Sequence, residues 1–126
     1  MASHIITVLI PLPLSYNPDA SGMRQVVEDE KFITTMEEIS KRISGGGFLH
    51  HFKAEPPKGF WWNKGILSQD DLAILEIDIP DTDESRECIK SYAKDVLLNR
   101  FRQDAIYLRF IGPIETLEVT EETITR

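Results

Sequence analysis

Leu72-Ala73-Ile74-Leu75-Glu76-Ile77-Asp78-Ile79-Pro80 is the stretch whose reading decides the fold of this chain. Successive side chains of a strand point to opposite faces. Ala73, Leu75, Ile77 and Ile79 therefore share one side, and Leu72, Ile74, Glu76 and Asp78 share the other. The first side is wholly apolar, whereas the second mixes aliphatic and acidic groups, the pattern of a strand packed on one face only. Pro80 ends it, having no N–H to give a ladder.

Downstream, Asp81 with Glu84 three residues later reads as a capping box that opens a helix. Its buried stripe is Cys88, Ile89, Tyr92, Ala93, Val96, Leu97 and Phe101. Ile106, Leu108 and Phe110 then alternate with Tyr107, Arg109 and Ile111 in a strand stopped by Gly112-Pro113. The threonine-rich end, within residues 115–126, reads as an edge strand or a solvated tail, which leaves 1–114 as one α+β domain.

Upstream, residues 54–69 read as a long hairpin connection with Phe60-Trp61-Trp62 between Pro56-Pro57, Gly59 and Gly65, part of which can pair to extend strand two or open strand three. Phe48 to Lys53 reads as a strand. Before it, Phe32, Ile33, Met36, Ile39 and Ile43 recur at helical spacing from about Asp29, and Gly45-Gly46-Gly47 stops that helix. Residues 15–28 are turn-rich, and residues 4–12 form a β-branched strand ended by Pro11 and Pro13. The order strand, helix, strand, strand, helix, strand is the ferredoxin-like split β-α-β arrangement. Two helices cover one face of such a sheet and leave the other open.

With strand order 4-1-3-2, the open face is expected to carry Tyr107 and Arg109, Thr7 and Leu9, and Ile74, Glu76 and Asp78. Strand two adds His51 and Lys53, or His50, depending on register. The candidate site on that face is thus His51, Lys53, Glu76, Asp78, Tyr107 and Arg109. The candidate interface is Phe60, Trp61, Trp62, Leu72 and Ile74, since a mixed apolar sheet face on a small domain is covered by a partner subunit or by the chain's own hairpin.

Composition bounds the rest. The chain has 126 residues, 41% of them apolar and 28% charged, enough for one self-sufficient core. The lone Cys88 excludes an internal disulfide and reads as a packed thiol. With 14 basic and 21 acidic residues the formal charge is −7 and the basic groups are scattered, which disfavours nucleic-acid binding. The apolar run Ile5–Ile10 has no basic stretch before it and is far shorter than the roughly 20 residues that span a bilayer. No membrane contact is expected, and the default compartment is the cytoplasm.

Three further pieces share a pattern: Gly59-Phe60-Trp61, Asp71 before Leu72-Ala73-Ile74-Leu75, and Arg100-Phe101-Arg102-Gln103 before Ile106-Tyr107-Leu108. Over residues 45–111 this Gly-x-Trp … Arg-Phe-x-Gln pattern resembles a small bacterial family of uncharacterised α+β proteins. The resemblance implies the fold and assigns no activity.

The polar constellations are weak as chemistry. His50 and His51 are adjacent on a strand, point apart and cannot ligate one metal together. Glu76 and Asp78 share a face yet lack a third ligand, and solvated charge accounts for them and for Asp70-Asp71. The three glycines follow a helix, so their amides build no phosphate cradle. Lys53, Tyr107 and Arg109 offer donors to an anion, although pairing of Arg109 with Glu76 or Asp78 is the simpler expectation. No serine or cysteine sits in a nucleophile motif. No cofactor or metal is expected. The expected function is a non-catalytic binding or assembly module that engages a protein partner, or itself as a homo-oligomer, through the open face or the tryptophan hairpin. The alternative is a small enzyme or sensor acting on a nucleotide or other phosphate-containing ligand.

Overall fold

The computed structural model describes residues 4–123 of the chain. Its elements are β1 (Ile5–Pro13), α1 (Asp29–Ile43), β2 (Gly47–His50), β3 (Lys58–Asn63), β4 (Ile66–Pro80), α2 (Asp83–Tyr92) and β5 (Arg109–Ile114). Helix α2 runs on through a π-helical segment, Ala93–Leu97, and a last turn, Leu98–Arg100. The sheet is antiparallel throughout, with order β5-β1-β4-β2, and β3 pairs with β4 as well. This is the ferredoxin-like α+β fold.

The alternation in β4 is realised as read: Ala73, Leu75, Ile77 and Ile79 are buried. They pack with Ile6, Val8, Ile10 and Leu12 of β1 beneath Phe32 and Ile39 of α1 and Ile89, Tyr92, Leu97 and Phe101 of the second helical stretch. Hydrophobic burial on this single side supplies the core. Ile33, expected in the buried stripe of α1, is exposed; Thr35 is buried in its place.

Strand lengths differ from expectation, for identifiable reasons. β4 is 15 residues long and starts at Ile66. Its first part, Ile66 to Asp71, pairs with β3 alone, while Leu72 to Pro80 pairs with β1. β2 and β3 lie along the same strand as one interrupted partner: Gly47–His50 oppose Ile77–Ile74, and Lys58–Asn63 oppose Asp71–Ile66. A two-stranded ribbon therefore projects beyond the end of β1. It closes through Lys64 (φ 50°) and Gly65 (φ 83°), the paired left-handed residues of a two-residue hairpin loop.

Pro11 and Pro13 do not end β1; they lie inside it, opposite Ile74 and Leu72. Leu14 N–H donates to the Asp71 carbonyl at 2.9 Å, so by the period of two the even residues of β1 donate toward β4. The proline nitrogens face the opposite edge, where β5 has already ended at Arg109 opposite Leu9. β5 likewise passes through Gly112-Pro113, because three of its residues, Gly112 to Ile114, answer two of β1 in a bulge.

Two caps also differ. The N-cap of α2 is Thr82, whose hydroxyl accepts from the Ser85 N–H at 3.1 Å, while Asp81 pairs with Arg86 at 2.7 Å. The left-handed residue ending α1 is Ser44 (φ 51°). Of the glycines after it, Gly47 has a separate reason: a Cβ there would collide with the Glu76 carbonyl on β4. Residues 115–123 carry no strand, and the remainder of the expected tail lies outside the described residues.

Candidate functional site

Directly paired residues of an antiparallel sheet share a face, so the register builds the open side row by row. Arg109, Leu9, Glu76 and Phe48 form one row, Ile111, Thr7 and Asp78 the next, and Pro11, Ile74 and His50 the row on the other flank. Glu76 and Arg109 thus share the bare side, one strand away from Leu9 in each direction. Strand spacing puts them roughly 10 Å apart.

They do not meet. Glu76 Oε1 contacts His50 Nε2 at 3.1 Å, and Asp78 Oδ1 accepts from Thr7 Oγ1 at 2.8 Å. The expected pairing of Arg109 with either carboxylate is absent among the described residues, where no carboxylate lies within ion-pair distance of it. The Arg109 guanidinium lies instead over the Tyr107 ring, 5.9 Å from its centroid.

His51 and Lys53 fall on the other side of the sheet, a correction to the expected site. His51 packs its ring on Phe32 at 4.7 Å between centroids and lies 4.0 Å from Asp29, while Lys53 Nζ donates to Asp29 at 3.0 Å. β2 ends at His50, and it is His50 that takes the open-face position. A pocket joining His51 with Glu76, Asp78 and Arg109 is therefore not formed. Among the described residues no three His, Cys, Asp or Glu side chains are grouped to hold a metal ion.

The ribbon supplies what the face lacks. Trp61 lies opposite Ser68, on the same side as the open face, and leans on Tyr107 with ring centroids 5.7 Å apart. Its Nε1–H donates to Asp70 Oδ2 at 2.9 Å, which fixes the indole across the end of the sheet. Gly59 makes this possible: a Cβ there would stand 2.8 Å from Leu72 Cδ1 and 3.0 Å from the Trp61 ring. Under the indole lies a cleft of about 250 Å³ floored by Leu9, Pro11, Leu72 and Ile74, walled by Trp61 and Tyr107, and rimmed by Lys58 and Arg109. Lys58 already holds Asp71 at 2.5 Å. A second hollow of about 490 Å³ continues on the far side of the Trp61–Tyr107 pair, toward Asn17, Asn63 and the 103–106 loop.

On the other side of the ribbon, Phe60, Trp62 and Leu67 share a face: Trp62 opposes Leu67, and Phe60 stands two residues from Trp62. They are 57%, 72% and 59% exposed, and Ile66 at the tip is 67% exposed. Of the expected interface residues, then, Phe60 and Trp62 belong to one surface, and Trp61, Leu72 and Ile74 to another. The sequence reading did not anticipate Lys58, Pro11 or the Trp61–Tyr107 contact. Gly59, two residues before Trp61, was the signal that could have pointed to it.

One layer of two helices on a four-stranded antiparallel sheet, with a hairpin running past its end, places the chain structurally in the ferredoxin-like class. No family model and no curated protein sequence matches it. Among solved structures it is similar to the divalent cation tolerance protein (Cut A1) from Thermus thermophilus, at a TM-score of 0.61 and 10% identity, over 90% of this chain and 87% of that one. At such identity the likeness is one of fold. No helix among the described residues is long and apolar enough to cross a membrane.

Proposed function

We propose that the protein is a binding and assembly module that associates with a second copy of itself through the outward face of the β3–β4 ribbon. The observation carrying this reading is the exposure of Phe60, Trp62 and Leu67 on a side of the ribbon that no other element covers among the described residues. A lone two-stranded ribbon is marginal in water. Three large apolar side chains on one side of it are better accounted for as contact surface than as solvated surface.

A second copy is favoured as occupant on two grounds. A two-fold contact needs only one self-complementary patch, which the ribbon provides. Three such side chains from each of two copies also bury on the order of 800 Å² before the ribbon around them is counted, which brings the contact to about the 1,000 Å² of a specific interface. Anionic lipid is opposed by the formal charge of −7. The reading assumes the cytoplasm as working compartment, in keeping with a lone, partly buried Cys88.

Sedimentation velocity across the micromolar range tests it. The natural chain is expected to sediment as a dimer or larger species, and the Phe60→Ser/Trp62→Ser double variant as a monomer. A natural chain that stays strictly monomeric throughout that range defeats the reading.

A further inference from the structure

The cleft on the open face contains a charged group that the fold itself does not use. Two acidic groups near it are already engaged: Asp71 by Lys58 at 2.5 Å, and Asp70 by the Trp61 indole at 2.9 Å and by Arg24 at 3.5 Å. Glu76 and Asp78 are held by His50 and Thr7. Arg109 stands at the rim with no such partner among the described residues, its guanidinium set over the Tyr107 ring. A guanidinium held over an aromatic face is partly restricted, so less freedom is lost when an anion arrives.

We infer that this cleft binds a small monocarboxylate with a flat or branched hydrocarbon body, the carboxylate on Arg109 and the body on the aliphatic floor, against the edges of the Trp61 and Tyr107 rings. Three observations set that class. The floor is aliphatic (Leu9, Pro11, Leu72, Ile74) and the walls are aromatic, which suits a ring or branched chain better than a polar body. A single uncompensated guanidinium matches one carboxylate in a two-bond fork, whereas a phosphate dianion requires further donors. The net charge of −7 repels a dianion about twice as strongly as a monoanion, so the global field favours the smaller charge. The volume of about 250 Å³ lies just below the usual range for drug-sized ligands and suits a small acid. Gly59 belongs to the same device, because it lets Trp61 close down over Leu72.

This inference is independent of the assembly reading, since Arg109 is on the open face and Phe60, Trp62 and Leu67 are on the opposite one. Calorimetric titration of the full chain with benzoate and with phenylacetate tests it, with benzyl alcohol and inorganic phosphate as comparison probes. At least one carboxylate is expected to saturate by the low-millimolar range, and neither comparison probe is expected to do so. Arg109→Gln is expected to weaken the carboxylate by about tenfold or more. Arg109→Lys should recover only part of it, because an ammonium lacks the fork. Arg109 is exposed, so both variants should keep the melting temperature and the sedimentation behaviour of the natural chain. As a second readout, Trp61→Leu should also weaken binding with Arg109 intact. Absence of saturation by both carboxylates, equal binding of benzyl alcohol, tighter binding of phosphate, or an unchanged affinity in Arg109→Gln each overturns the inference.

Discussion

Arg100, in the last turn after α2, fastens the two helices to each other. Its Nη1 donates to Thr35 Oγ1 at 2.9 Å and to the Tyr92 hydroxyl at 3.2 Å, and its Nη2 donates to Glu38 Oε1 at 2.8 Å. Tyr92 OH donates to the same Glu38 oxygen at 2.7 Å. Thr35 is buried, so removing the guanidinium leaves its hydroxyl without a partner. Arg100→Met should lower the unfolding free energy by about 2 kcal/mol, measured by denaturant titration. The same cluster sets a pH dependence. Burial, then the hydrogen bond to Glu38, pushes the Tyr92 hydroxyl from 10.0 up to about 12. Above pH 10 the unfolded chain releases this proton while the folded chain keeps it, so stability present below pH 10 is lost as pH rises toward 12. Tyr92→Phe should remove that alkaline slope, on the order of 2 kcal/mol between the two pH values. Glu38 moves the other way: hydrogen bonds from Tyr92 and Arg100 hold it below its ordinary 4.5. Its contribution is therefore present above that pH and fades as acid protonates it.

The hairpin loop is the element whose chemistry is least settled by its residues. Lys64 occupies a left-handed conformation that favours asparagine or glycine, and nothing lies within 4 Å of a Cβ at Gly65. Lys64→Asn should raise stability by about 0.5 kcal/mol, and Gly65→Ala should lower it by about 1 kcal/mol through backbone strain alone. Thermal unfolding of the two variants checks both signs. Gly47→Ala is a different case: the added methyl meets the β4 backbone itself, and it should cost about 2 kcal/mol by prising β2 away. The legibility of the elements follows the same physics. Leu72 to Pro80 was readable because a core on one side imprints an alternation on the chain. Residues 66–71, Ile-Leu-Ser-Gln-Asp-Asp, carry no such imprint, because that stretch of β4 has no core beneath it. In sequence Pro11 and Gly112-Pro113 look like stops, since sequence does not show which edge of a strand is already bare. The side taken by His51 depended on where a four-residue strand ended, and a one-residue uncertainty exchanged His51 for His50.

At the scale of the whole molecule the ribbon and the sheet are separable. Leu72 to Pro80 is held by β1 and the core, and neither depends on the ribbon beyond Gly59 and Asp70. Replacing residues 60–69 by Asn-Gly joins the Gly59–Asp70 pair with a two-residue turn. The shortened chain should retain cooperative unfolding and its far-ultraviolet circular dichroism while sedimenting as a monomer. Loss of cooperative unfolding would show that the ribbon carries fold as well as contact. The open side was legible from pattern, and the sharing of that side by Arg109 and Glu76 followed once the usual strand order of the fold was taken. The division of the aromatic cluster between two surfaces was not, because adjacent Trp61 and Trp62 carry the same composition and differ only in parity. Finally, the two prolines of β1 present ring carbons where an uncovered strand would otherwise hold out amide hydrogens. Another chain cannot zip itself onto that rim by backbone pairing, so growth into fibrils from that border is blocked, and along it copies of this protein can meet only where side chains lead.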